Sequence, residues 1–281
     1  MKFAKYHGLG NVYIVLETET SATPPSQAMI KTICDTHYGV GSDGILWGPL
    51  PSGTCDFGLL IYNPDGSDAE KSGNGLRIFA RYLFDTGRVS YQLFTLETLG
   101  GNVGCSVAED NKKVEVALGQ VSFASSQVPV AGAEREVLNE SMTINGRSFK
   151  FSAVTLGNPH CVVLLDAPPT PELAQTFGPH IEHSPLFPKR TNVQFMYVQD
   201  RANIQIEIWE RGANYTLASG SSSVAATAVA RRLGLCDNSV TVHMPGGTLA
   251  VALDSNWNST LIGPVTKICD GEIAPEMFQE R

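Results

Sequence analysis

Two short stretches hold the residues best suited to chemistry: Ser72-Gly73-Asn74-Gly75 and Ser219-Gly220-Ser221-Ser222. Each opens an apolar segment. The first continues through Leu76, Phe79, Ala80, Leu83 and Phe84, the spacing of one buried helical stripe. The second continues through Val224, Ala225, Ala228, Val229 and Leu233. Gly and Ser ahead of such a stripe let the backbone turn tightly, and the first amides of the helix then lack intrahelical acceptors. Those amides, with the positive end of the helix dipole, can hold an anion. Two such starts suit one carboxylate gripped from both sides, with a hydroxyl, Ser72 or Ser219, at each grip. Taken singly, either stretch also fits an ordinary serine N-cap. The pair and its polar surroundings point to a site.

Those surroundings are Asn11, Asn63, Asn158, His160, Asn192, Glu210 and Arg211, all at predicted turns or strand ends. Asn has its own reason to occupy turns, since it tolerates left-handed backbone and closes Asx turns. Glu210-Arg211 lies just ahead of the second helix start. An Arg there offers a fork for a carboxylate, and a Glu offers an acceptor for an ammonium. His160 suits a general base, a hydrogen-bond donor or a half-buried structural histidine. The inventory fits a zwitterionic small molecule with at least one carboxylate and one amine. A Walker loop, a dinucleotide glycine fingerprint and a metal-binding cluster are all missing from the sequence, so no cofactor or metal is expected.

The elements that must position these groups follow from periodicity. Residues 1–17 predict two strands joined by the turn His7-Gly8-Leu9-Gly10-Asn11. Thr-, Ser- and Pro-rich residues 18–27 predict a loop, and 27–36 a short helix. The glycine-rich turn Gly39-Val40-Gly41-Ser42-Asp43-Gly44 leads into a strand at 45–47; another at 58–62 ends at Asn63-Pro64-Asp65-Gly66-Ser67. The first main helix is expected over 72–85, with strands at 92–96, 101–107 and 113–118. The second half repeats this order: strands at 149–156 and 161–165, a short helix at 172–178, strands at 193–198 and 204–209, the second main helix, then strands at 240–244, 248–252 and 261–262. One main helix per half among many strands predicts a strand-rich layer wrapped round a central helix. The boundary is expected near Gln120–Ala133, which shows no clear period.

At 281 residues, with 42% hydrophobic and 17% charged side chains, the chain can build one large domain or two ordinary ones. A formal charge of −8 argues against nucleic acid or an anionic membrane surface as partner. The start, Met1-Lys2-Phe3-Ala4-Lys5-Tyr6-His7, lacks a signal-peptide core, and no apolar run approaches membrane-spanning length. Six cysteines are scattered without a CxxC pair, which reads as a reduced, cytoplasmic protein.

Linked motifs along nearly the whole length carry a resemblance: His7-Gly8-Leu9-Gly10-Asn11, Gly39-Val40-Gly41-Ser42-Asp43-Gly44, Asn63-Pro64-Asp65-Gly66-Ser67, Ser72-Gly73-Asn74-Gly75, Gly157-Asn158-Pro159-His160-Cys161, Asn192-Val193, Glu210-Arg211-Gly212-Ala213, Ala218-Ser219-Gly220-Ser221 and Pro245-Gly246-Gly247. In these the chain resembles the diaminopimelate epimerases, pyridoxal-independent amino-acid racemases and epimerases. The resemblance implies an α/β fold of two pseudo-symmetric domains, each a strand-rich barrel about a central helix, with the active site in the cleft between them. It implies a first domain of residues 1–118 joined by the last strand, about 263–275, and a second of residues 119–262. It also implies an isomerase of lysine and cell-wall precursor biosynthesis that interconverts LL- and meso-diaminopimelate without a cofactor. Members are often dimers, so a homodimer is the implied assembly.

The family uses two cysteines on opposite faces of the substrate α-carbon. By motif these positions fall on Ser72 and Ser219. A thiol near pKa ~8.5 is brought within reach of neutral pH at a helix N-terminus, whereas a hydroxyl needs an adjacent base. Lys71 adjoins Ser72, and the sequence offers no evident base for Ser219. The resemblance therefore implies a weak or inactive epimerase that still binds substrate. By motif, Gly73, Asn74, Gly220 and Ser221 would hold the reacting carboxylate through backbone amides. Asn11, Asn63, Asn158, Asn192 and Arg211 would grip the distal amino-acid end, and His160 and Glu210 would flank the reacting centre. Gly44 stands where some members have Gln. Alternative readings are a racemase of another amino acid such as histidine, a double-bond isomerase of the phenazine-biosynthesis type with Lys71 or Glu210 as base, and a non-catalytic binding homologue.

Overall fold

A computed structural model describes residues 1–18, 23–108 and 113–279. Of the loop expected at 18–27, residues 19–22 lie outside the described residues. The chain divides into two compact units, Met1–Ala117 with Ile262–Arg281, and Leu118–Leu261. Each is mixed α/β and rich in strands.

In the first unit, β1 (Lys2–Gly8) and β2 (Asn11–Leu16) form a hairpin, and α1 (Gln27–Cys34) crosses to β3 (Ile45–Leu50), which lies parallel to β2. β4 (Phe57–Tyr62) runs antiparallel to β3 and folds onto the short β5 (Asp68–Ala69). The helix α2 (Gly73–Asp85) then crosses to β6 (Phe94–Thr98), parallel to β4, and a meander follows through β7 (Gly101–Val107) into β8 (Lys113–Gln120).

The second unit repeats this course. After β9 (Glu140–Ile144), β10 (Arg147–Thr155) and β11 (Pro159–Leu165) pair antiparallel, and α3 (Pro171–Glu182) crosses to β12 (Asn192–Asp200), parallel to β11. β13 (Asn203–Glu210) folds back on β12 and onto the short β14 (Asn214–Thr216). The helix α4 (Gly220–Arg232) crosses to β15 (Ser239–Met244), parallel to β13, followed by β16 (Gly247–Leu253) and β17 (Asn258–Pro264). The last strand, β18 (Thr266–Glu272), returns to pair antiparallel with β1 in the first unit. Antiparallel, parallel, antiparallel, parallel, antiparallel is the pairing order in both units, so the repeat seen in element order is also a repeat of topology.

The two crossover helices are buried nearly all round. In α2, Leu76, Ile78, Phe79, Ala80 and Leu83 are fully enclosed, and each large side chain contributes about 1.5–3 kcal/mol of burial. In α4 the enclosed residues are Ser222, Ser223, Val224, Ala225, Ala226, Thr227, Ala228, Val229 and Ala230. Their small size lets β10, β11, β12, β13, β15 and β16 all pack against that one helix. This is the central helix that periodicity predicts.

Several expectations shift. The first helix stops at Cys34 because Asp35 turns extended and its carboxylate accepts from the amides of His37 and Tyr38. α3 runs on to Glu182, four residues past the expected end, with Pro179 inside it. β5, β9 and β14 are too short or too polar to show a period. The units divide at Ala117/Leu118, just ahead of the aperiodic stretch near 120–133, which buries Val121, Phe123, Val128 and Val130 in the second unit. Valines spaced irregularly fill a core as well as periodic ones, but leave no pattern to read.

Gly178 sits mid-way along α3 where a Cβ would lie 2.5 Å from Cβ and Cγ of Trp209. Gly178→Ala should therefore overpack this contact and cost about 1–3 kcal/mol, read as a lower urea midpoint at unchanged slope.

Candidate active site

At the start of α2, Ser72 is the N-cap. Its backbone is extended (φ −136°, ψ 116°), and its Oγ accepts from the amide of Gly75 at 3.0 Å. The same oxygen accepts from the Tyr13 hydroxyl at 3.0 Å. Tyr13 comes from β2, whose apolar pattern marks it as core. Gly44 gives its ring room: a Cβ there would lie 2.6 Å from Tyr13 Cε1. Lys71 does not serve Ser72 in this arrangement. Its stem packs against Gly100, and burial pulls its pKa down.

A polarised chain of hydrogen bonds runs behind the α2 start. Arg77 donates to Asn74 Oδ1 at 2.7 Å, Asn74 Nδ2 donates to Asn11 Oδ1 at 3.0 Å, and Asn11 Nδ2 donates to Asp43 Oδ2 at 3.1 Å. A cation at one end and a carboxylate at the other fix both amide orientations. Arg77 also donates to the Gly73 carbonyl and is fully buried, which lowers its pKa to about 10. Its positive charge lies beneath the same helix start that favours an anion. Asn63 is held in its turn by donating to Ser67 Oγ at 3.0 Å.

In the second unit, Ser219 caps α4 in the same extended form (φ −145°, ψ 127°), with its Oγ 3.5 Å from the Ser222 amide and 3.5 Å from Ser221 Oγ. The Glu210 carboxyl, at the end of β13, accepts from the Thr216 hydroxyl at 3.2 Å and lies near the Ser219 hydroxyl. Burial raises the Glu210 pKa, and those two hydroxyls oppose the rise. A carboxylate of raised basicity therefore lies near the Ser219 hydroxyl, for which the sequence offers no evident base.

The other residues divide by role. Asn192 Oδ1 accepts from the Arg211 amide at 3.0 Å and its Nδ2 donates to the Pro159 carbonyl at 2.9 Å, tying two turns together. Arg211 itself is exposed and rests on the Lys189 carbonyl. The buried carboxylate of Glu182 accepts from Gly212 N, Trp209 Nε1 and Arg190, and so pins the turn that carries Arg211. His160 lies within 3.1 Å of Asn158 Oδ1 and is wholly buried. Burial drives its pKa down to about 3, with Gln194 opposing and Arg211 adding to the shift. His160 is thus a neutral hydrogen-bonding group rather than a base poised near neutrality.

That burial has a consequence for stability. The folded pKa, about 3, lies below the unfolded value of 6.5, so the unfolded chain takes up the proton first as pH falls. Stability is lost progressively from pH ~6.5 toward ~3, by about 2 kcal/mol between pH 7 and pH 5. His160→Gln should flatten this slope by that amount, measured as urea unfolding at the two pH values.

Sequence reading placed Ser72, Ser219 and the Asn, Glu and Arg turns, and missed Tyr13, Arg77, Glu182, Gln194 and Thr216. Arg77 alone left a signal, a charge inside an apolar helical stripe. No cluster of three or more His, Cys, Asp or Glu side chains arranged for a metal occurs among the described residues.

Comparison with known proteins decides the family. The model of the diaminopimelate epimerase family matches residues 3–124 and 152–268. A curated relative, diaminopimelate epimerase 2 of Nostoc sp., is 52% identical over 278 residues, covering 99% of this chain and 97% of its own. The chain belongs to the diaminopimelate epimerase family. A further diaminopimelate epimerase, from Caldanaerobacter subterraneus subsp. tengcongensis, is 39% identical over 276 residues, covering 97% of this chain and 99% of its own. In fold the chain is similar to a solved probable proline racemase of Agrobacterium radiobacter, with a TM-score of 0.73 at 15% identity, covering 99% of this chain and 94% of that one.

The residues around the start of α4 are each held in the second unit. Asn214 stands at φ 64°, a left-handed conformation that Asn tolerates nearly as Gly does. Tyr215 donates to Glu207 at 2.7 Å. Ser222 accepts from Gln194 at 3.0 Å, and Val224 is fully buried.

Proposed function

We propose that this chain inverts an α-carbon of diaminopimelate, interconverting the LL and meso forms for lysine and cell-wall precursor synthesis. Ser72 and Ser219 are the groups that exchange protons with that carbon. The observation that carries the reading is that each serine caps a buried helix within the stretches that the family model matches. The free amides at Gly73, Asn74, Gly220 and Ser221 then hold the carboxylate as charge develops on it. Asn11, Asn63, Asn158, Asn192 and Arg211 take the distal amino-acid end. Ser219 works as a base through Glu210, and His160 stays neutral and orients Asn158.

The weakness expected of serine is eased by these partners but not removed. A hydroxyl near a carboxylate still needs a stronger push than a thiol. The chemistry uses no pyridoxal cofactor, and the protein works in the cytoplasm as a homodimer. All six cysteines are free, in keeping with a reducing compartment. Chiral chromatography of LL-diaminopimelate after incubation tests the substrate: meso product supports the reading. Inversion of histidine in its place would move the assignment to another amino acid.

A further inference from the structure

We propose that Tyr13 is a positioning residue of the first helix start, which holds Ser72 as a proton donor and resupplies its proton. The inference rests on the reading of Ser72 as a group that exchanges protons with the substrate carbon.

First, the Tyr13 hydroxyl donates to Ser72 Oγ at 3.0 Å, and the Gly75 amide donates to the same atom at 3.0 Å. A hydroxyl oxygen has two lone pairs. With both engaged, the remaining hydrogen-bonding function of Ser72 is its own O–H. Ser72 is thereby set to give a proton rather than take one. Ser219 is set differently: its Oγ lies 3.5 Å from the Ser222 amide and 3.5 Å from Ser221 Oγ, with the Glu210 carboxyl nearby.

Second, the space for Tyr13 is built. At Gly44 a Cβ would lie 2.6 Å from Tyr13 Cε1 and 2.6 Å from the Tyr62 carbonyl oxygen. The bare backbone at Gly44 is what lets the phenol ring stand beside Ser72. Third, Tyr13 is 7% exposed, so its hydroxyl is held there by packing rather than by chance rotation.

The proton balance is simple. On one face, the substrate Cα–H bond breaks and its proton passes to Ser219 as the Ser219 proton passes to the Glu210 carboxylate. On the other, a new Cα–H bond forms with the Ser72 proton, and the Tyr13 proton moves to Ser72 Oγ. The enzyme is left with a protonated Glu210 and a Tyr13 phenolate. The phenolate is partnered by the Ser72 hydroxyl and the positive end of α2. Reversal of turnover, or exchange with water, restores the starting form.

The test is α-proton exchange and inversion of LL-diaminopimelate, followed for the unmodified chain, Tyr13→Phe, Ser72→Cys, and Tyr13→Phe/Ser72→Cys. Tyr13→Phe keeps the ring that fills the space beside Gly44 and removes the hydroxyl that donates to Ser72. It should lower kcat by about 10²-fold with little change in KM, because the loss is of proton supply. A thiol at position 72 does not need that supply, so in the Ser72→Cys background the same change should cost less than about threefold. This difference between backgrounds separates proton supply from packing. An equal loss in both backgrounds overturns the proposal and makes Tyr13 a structural residue, as does no loss in either. Absence of exchange by every variant, including one with cysteine at both serine positions, instead overturns the substrate reading, and the role of Tyr13 with it.

Discussion

Replacing Ser72 and Ser219 together by cysteine is expected to raise α-proton exchange of LL-diaminopimelate by at least about 10²-fold. Both side chains sit at N-caps in extended backbone, so a thiol of nearly the same shape enters without moving the helix starts. There it meets the free amides and the positive end of the helix dipole, which lower a thiol pKa toward neutrality. The serine hydroxyl gains from the same field but starts several units further away. At Ser72 a thiol accepts hydrogen bonds less well than a hydroxyl, so the double change should also cost some helix capping, about 0.5–1 kcal/mol at each site. Faster exchange together with a slightly lower unfolding midpoint is thus the expected pair of results. A rate unchanged by the double substitution would mean that these positions do not meet the α-carbon.

The second large effect falls on Glu210. Glu210→Gln keeps the size of the side chain and its contact with Thr216 but removes the carboxylate that takes the Ser219 proton. Exchange should fall by about 10²–10⁴-fold, the range of a lost general base. The sign of the pH effect follows from the raised pKa of this carboxyl. The active form is the deprotonated one, so activity should decline as pH falls, and it should begin to do so above the ordinary carboxylate range. That acid limb should disappear in Glu210→Gln. Binding should persist, because the amides at Gly220 and Ser221 remain. Loss of binding along with rate would make Glu210 a ligand for the substrate ammonium instead.

How far the site is legible in sequence depends on whether each interaction is local. Ser72 and Ser219 stand out because a cap residue and the stripe it opens are adjacent in the chain. The repeat of topology shows because each unit spends its one long apolar helical stripe on a central helix. The chain Arg77–Asn74–Asn11–Asp43 does not show, because it joins residues 63 and 32 positions apart through a turn and a helix start. Tyr13 is hidden for another reason. In Val12-Tyr13-Ile14 it reads as one more apolar strand residue, and only its neighbour in space reveals the hydroxyl at work. At His160 the motif leaves a base, a donor and a structural histidine open. Its turn and its type suit a base, but the strands around it exclude water, and burial keeps it neutral. Burial is a property of the assembled sheet, which no short motif encodes.

The most direct test of the account is the α-proton signal of LL-diaminopimelate in D₂O, followed by NMR with the unmodified chain and with the Ser72→Cys/Ser219→Cys form. The account predicts that the signal decays with both, more slowly with the unmodified chain, and that meso product appears as it does. Decay with the cysteine form alone would contradict the claim that Ser72 and Ser219, with Tyr13 and Glu210 beside them, can carry the proton.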